Sequence, residues 1–173
     1  MAVIALLSGI APGEAKVFYT KSEALHLAFP EADRVENKIF FLREEQVRRV
    51  EELAKTPMDS KLVTFYVGRR GTEVLGYAFI DTHIVRTLPE AFLTVLSPGG
   101  VVQKLHVLAF YEPQEYLPPE RWLKQFDQTT LGLDLRLGRN IHGIAGSTLT
   151  ARAITSGVRK VLALYQVLIQ EEE

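Results

Sequence analysis

Between Leu62 and Phe110 apolar residues come in short runs rich in β-branched and aromatic types, broken by turn-forming clusters. Leu62-Val63-Thr64-Phe65-Tyr66-Val67 and Val74-Leu75-Gly76-Tyr77-Ala78-Phe79-Ile80 flank Arg69-Arg70-Gly71-Thr72, which predicts a β-hairpin. Glu90 to Leu96 and Val101 to Phe110 flank Ser97-Pro98-Gly99-Gly100, a second turn. On the last of these strands the two-residue period puts Val102, Lys104, His106 and Leu108 on one face. Gln103, Leu105, Val107 and Ala109 fall on the other. Beyond Gly146 the period becomes helical. Ile154, Val158, Val161, Leu162, Tyr165, Leu168 and Ile169 make one apolar stripe, which predicts a long helix from about Ser147 to Ile169. Arg152, Arg159 and Lys160 are expected to face outward for the most part.

The flanking segments add shorter elements. Thr20 to Phe29 reads as a helix that Thr20 or Ser22 can cap and Pro30 ends, with Ala24, Leu25, Ala28 and Phe29 on its apolar face. Val35 to Leu42 is a strand candidate. Arg43 to Lys55 is a second helix, with Val47, Val50, Leu53 and Ala54 together, and Thr56-Pro57-Met58-Asp59-Ser60 breaks the chain after it. Pro119 to Phe126 is a short helix with Trp122, Leu123 and Phe126 on one face. Leu131 to Leu137 alternates and reads as a strand. The expectation is an α+β fold: an antiparallel sheet with flanking helices and a long C-terminal helix. Residues 16–60 would form a helical lead-in and 61–173 the main domain.

Composition narrows the chemistry. The chain has 173 residues and a formal net charge of −1, enough for one domain with a proper core. No basic excess points to nucleic acid as a partner. There is no cysteine, which excludes disulfides, a Cys-ligated iron–sulfur cluster and Cys-attached haem in this chain. Met1 to Ala11 is an uncharged apolar run followed by Pro12-Gly13-Glu14-Ala15. It resembles the end of a secretory signal with cleavage after Ala15, the other reading being a buried first strand. His83 and His106 have no second ligand at metal spacing and read as strand histidines satisfied by neighbours. Glu112 and Glu115 sit on a Pro-rich loop and read as solvated, or, for Glu112, as holding a backbone amide.

One stretch carries candidate chemistry. Ile141-His142-Gly143-Ile144-Ala145-Gly146-Ser147-Thr148-Leu149-Thr150 runs from a Gly-containing loop into the long helix and places three hydroxyls at its start. Free N–H groups and the positive end of the helix dipole suit such a junction to phosphate. A well-capped helix start, with Ser147 as the cap, gives the same local pattern.

Gly146-Ser147-Thr148-Leu149-Thr150-Ala151-Arg152-Ala153 resembles the signature of the FMN-binding domain family. That family includes the flavin subunits of sodium-translocating NADH:quinone reductase and of the Rnf complex. Its pattern is roughly Asp-x-x-Ser/Thr-Gly-Ala-Thr-x-Thr. His142 stands at the family's Asp, Ala145 at its Ser/Thr and Ser147 at its Ala. The Gly-Tyr-containing strand, the Glu112-Pro113 loop and the Trp122 helix agree with the family in layout.

The resemblance implies FMN joined through a phosphoester to Thr148 by a separate flavin transferase. Gly146, Ser147, Leu149, Thr150 and His142 would surround it, with Arg139 and Arg152 as further cations in reach. Tyr77, Tyr111, Tyr116 and Leu117 are candidates for the bed of the flavin ring. The implied activity is electron relay at the outer face of the cytoplasmic membrane or in the periplasm, with an unidentified redox partner at the membrane. It is the work of a carrier more than of a stand-alone enzyme. A cofactor-free binding or assembly module of the same fold, or a non-covalent FMN binder, stands as the alternative.

Overall fold

A computed structural model describes residues 16–85, 88–132 and 135–171 of the chain. The expected signal segment, 1–15, lies outside them. In order, the elements are β1 (Lys16–Val17), α1 (Lys21–Ala28), β2 (Arg34–Phe41), α2 (Glu44–Ala54), β3 (Leu62–Arg70) and β4 (Glu73–Val85). They continue with β5 (Leu88–Leu96), β6 (Val102–Phe110), α3 (Glu120–Leu123, extended as a 3-10 turn over Lys124–Phe126) and α4 (Thr148–Tyr165, extended as a π turn over Gln166–Gln170). The six strands form one sheet in the order β1-β6-β5-β4-β3-β2, antiparallel throughout. The fold is α+β, as the sequence predicts. Among the described residues no helix is long and apolar enough to cross a membrane.

Strand alternation gives the sheet two faces. Val63, Phe65 and Val67 of β3, with Tyr77 and Phe79 of β4 and Phe92 and Leu96 of β5, join the stripe of α4 and the buried face of α2 in the main core. Tyr66, Ala78, Leu93 and Val95 point the other way and pack with Ala24 and Phe29 of α1 in a smaller core. Thr20 caps α1: its hydroxyl accepts from the Glu23 N–H, and the Glu23 carboxylate accepts from the Thr20 N–H. The segment read as a lead-in thus contributes β1 and β2 to the two edges of the one sheet, and α2 to its main core.

Two expectations need correction. On β6 the pairing slips at two points, so that Val95 faces Lys104 but Leu96 faces Val102, and Phe92 faces Val107 but Ala91 faces Ala109. Gln103 and Leu108 are the extra residues of these bulges. A bulge inverts the alternation beyond it, and Val102 therefore joins Leu105 in the main core instead of opposing it. The strand expected at Leu131 to Leu137 is also absent in its described residues. Leu137 forms only an isolated bridge with Ile141, and Leu135 is buried as a plug in the main core. Leu133 and Asp134 lie outside the described residues.

The β4–β5 hairpin sets up the site. Asp81 pairs with Phe92 and His83 with Glu90. Alternation from Tyr77 and Phe79 turns Asp81, His83 and Val85 toward α4, and alternation from Phe92 turns Glu90 the same way. Helix and sheet touch closely there. A Cβ built on Gly157 of α4 would lie 2.7 Å from Asp81 Oδ2 and 3.3 Å from His83 Cε1.

Candidate functional site

The loop at 141–147 is held from outside by the short helix before it. The Trp122 indole N–H donates to the His142 carbonyl at 2.7 Å. The His142 N–H donates to the Gln125 side-chain carbonyl at 2.8 Å. His142 is thus clamped through its backbone while its side chain is exposed. Gly146 then adopts φ +81°, a left-handed conformation that costs other residues roughly 1–2 kcal/mol. That turn lets Ser147 take the N-cap position of α4, with the Ser147 carbonyl accepting from Ala151 at 3.0 Å.

The three hydroxyls of the junction have different surroundings. Ser147 is 3 % exposed, makes no side-chain capping bond, and its Oγ has no partner. Thr150 is buried and donates to Glu90 Oε1 at 3.4 Å. Thr148, between them, is exposed, as is Leu149. The N–H groups of Thr148, Leu149 and Thr150 belong to the first turn and have no acceptor within the helix.

Behind the hydroxyls lies a strip of ionisable groups that sequence reasoning did not connect to the site. Glu90 has no exposed surface. Burial pushes its carboxyl up to about 7, with Glu112 adding to the rise and His83 and Thr150 opposing it. Glu112 is 5 % exposed, which corrects its reading as a solvated loop residue; Glu115 is exposed. With Ser147, Thr150, Gly146 and Tyr116, Glu112 lines a void of about 10 Å³ beneath the helix start, about the room of one water.

At the far end of the strip Asp81 accepts from the Lys160 ammonium at 2.9 Å and stands 3.4 Å from His83 Nδ1. Burial raises the Asp81 carboxyl, but His83 and Lys160 outweigh it and hold it below its ordinary range. His83 stacks on Phe92, with ring centroids 5.3 Å apart. Among the described residues the buried side-chain atoms left without a hydrogen bond are Asp81 Oδ2, His83 Nε2, Glu90 Oε2, Glu112 Oε1 and Ser147 Oγ. All of them belong to this strip. Such orphaned atoms are uncommon in folded proteins and mark a site for water, an ion or a proton. No group of three or more His, Asp or Glu is arranged to hold a metal ion among the described residues.

Other expected site residues fall elsewhere. Tyr77 is buried between Phe65 and Tyr165 in the main core and is not available to a flavin ring. Tyr111 and Leu117 are partly exposed, and Tyr116 lines the void. Arg152 is exposed as expected, but Arg159 is buried and Lys160 is turned in toward Asp81. His83 has a neighbour on one side only, since Nε2 lacks a partner. His106 packs edge-on against Tyr19, and burial lowers its pKa.

The inward parity of Asp81, His83 and Glu90 was legible: each sits two or four residues from an aromatic core position on its own strand. Nothing in the sequence showed that α4 would bring Thr150 and Ser147 over them. Comparison with family models and with curated proteins gives no significant match.

Proposed function

We propose that the chain is a flavin-carrying electron-transfer protein, with FMN joined through its phosphate to the Thr148 hydroxyl at the start of α4. The observation that carries this reading is the division of the three hydroxyls. Ser147 and Thr150 face the protein interior, and Thr148 alone of the three is presented to solvent, where a transferase could reach it. First-turn N–H groups beside it suit a phosphate. Thr148 has no carboxylate hydrogen-bonded to it among the described contacts, and a threonine hydroxyl is a poor nucleophile at neutral pH. The activating base and metal would therefore come from the flavin transferase.

The buried carboxylates bear on the same point. Glu90 and Glu112 lie behind the helix start and would repel an anion drawn inward. A phosphodiester on Thr148 projects outward, away from them, and a neutral Glu90 lowers the repulsion further. Bound flavin would supply one- or two-electron transfer, which no side chain of a cysteine-free chain provides. The donor in this reading is a membrane redox partner and the location extracytoplasmic, in line with the apolar N-terminal run.

A second reading is favoured by His142, Ala145 and Ser147, which depart from the family pattern: a cofactor-free binding module of the same fold. Co-expression with a flavin transferase, followed by visible absorbance of the protein before denaturation and after acid precipitation and washing, separates them. Yellow colour that survives denaturation in the wild type and is missing in Thr148→Val supports the covalent carrier. Colour lost on denaturation supports non-covalent FMN. Colourless protein contradicts the flavin reading.

A further inference from the structure

On the side of α4 turned toward α2, the helix builds a basic cleft that shares only Arg152 with the residues expected around FMN. Arg152, Thr155, Ser156 and Arg159 recur at i, i+3, i+4 and i+7 and share one helical face. With Lys55 at the end of α2 and Arg136 of the segment that precedes α4, they line a cleft of about 210 Å³. Among the described residues its lining thus contains Lys55, Arg136, Arg152 and Arg159 and no carboxylate. A neighbouring cleft that shares Lys55 and Arg159 includes Glu52, but Glu52 is ion-paired with Arg49 at 3.4 Å.

Arg159, which is buried, forms the floor, and its charge is met by main-chain carbonyls. Its guanidinium donates to the Ala54 carbonyl at 3.0 Å, the Leu53 carbonyl at 2.9 Å and the Leu135 carbonyl at 3.0 Å. Leu53 and Ala54 end α2, so a cation there meets the negative end of that helix. No ion pair within 4 Å involves Arg159, Arg136, Arg152 or Lys55 among the described residues. Arg159 is held below its ordinary pKa by burial first and by Arg136 second, so the two like charges sense each other. The Thr155 hydroxyl is committed to the Ala151 carbonyl at 2.7 Å. Ser156 has no such commitment and leaves a donor on the cleft wall.

We propose that this cleft is an anion site for a soluble phosphate-class ligand, held by Arg152, Arg136, Lys55 and the Ser156 hydroxyl above Arg159. Arginine forks match phosphate oxygens in pairs, and the volume accommodates a phosphate with part of the group that bears it. An anion there relieves the repulsion between Arg136 and Arg159.

The test is calorimetric titration of the full chain with inorganic phosphate and with pyrophosphate, against sodium chloride at matched ionic strength. Saturable binding is expected, weakened about tenfold or more by Arg136→Gln with Arg152→Gln, each loss being that of a charged hydrogen bond. Ser156→Ala weakens it less. Thr148→Val leaves it unchanged, which separates this site from the flavin anchor. Circular dichroism checks that the variants are folded. Heats no different from those of sodium chloride, or affinity unaltered in a folded double variant, would overturn the proposal. So would sedimentation with phosphatidylglycerol vesicles in the absence of any response to soluble phosphate.

Discussion

At Glu90 a carboxyl with no exposed surface has one oxygen 3.4 Å from a threonine hydroxyl and the other without a partner. A pKa of about 7 in the fold against an ordinary 4.5 means that the folded chain holds the proton over a range where the unfolded chain has lost it. Stability from this group is complete below pH 4.5 and falls as pH rises toward 7; the full change is roughly 3 kcal/mol at most. Asp81 acts with the opposite sign and in another window. Its lowered pKa gives stability above about 3.8 that is lost as pH falls through its folded value. His106, whose pKa burial lowers, adds stability as pH rises from its folded value toward 6.5 and so opposes Glu90 there. Glu90→Gln isolates the Glu90 contribution: urea denaturation from pH 5 to 8 is expected to show the variant gaining on the wild type as pH rises. Parallel pH profiles for the two proteins would mean that Glu90 is ionised throughout. The residue pattern made Thr148 the position to examine; it could not show that Ser147, read as a cap, turns its hydroxyl inward with no capping bond.

Element by element, the site depends on how α4 is seated. Gly157 lets the helix approach β4, and a methyl group there would sit 2.7 Å from Asp81 Oδ2. Gly157→Ala is therefore expected to destabilise the fold by about 1–3 kcal/mol despite alanine's better helix propensity; a thermal midpoint at or above that of the wild type would mean that the contact relaxes freely. At the other end of the junction, Trp122 and Gln125 hold the His142 backbone. Trp122→Phe keeps an aromatic ring against Phe126 but loses the indole donor, a cost of about 1 kcal/mol. Faster amide hydrogen exchange at residues 142–146 is the expected signature, and unchanged exchange would show the clamp to be dispensable. Long periodic elements were legible in advance: both hairpins, α1, α2 and α4 follow directly from apolar spacing. The β6 bulges were not read, because an unbroken two-residue period was assumed, although the adjacent polar pair Gln103-Lys104 between Val102 and Leu105 interrupts it. Nor was the conformation at 135–137, where Leu135 and Leu137 alternate like a strand but pack into the main core.

For the molecule as a whole, the sheet takes both of its edges from residues 16–60. β1 and β2 occupy its two edges, while Val50 and Ala54 of α2 share the main core with α4. Residues 16–60 are expected to unfold together with the rest, giving coincident denaturation curves by far-ultraviolet circular dichroism and by Trp122 fluorescence. Separate transitions would show an independent lead-in. Charge is distributed unevenly about α4: carboxylates lie under its N-terminal end, whereas Arg136, Arg152 and Arg159 gather on the side toward α2. Net charge concealed this, because a sum of −1 contains both patches. The sequence could place arginines on a helix face but not the loop and the α2 terminus that complete their cleft.

The flavin anchor is tested most directly by tandem mass spectrometry of the tryptic peptide Asn140–Arg152, taken from protein co-expressed with a flavin transferase. The prediction is one FMN phosphoester, located on Thr148 and missing from the same peptide in Thr148→Val. An unmodified peptide, or FMN on Ser147 or Thr150, would contradict it.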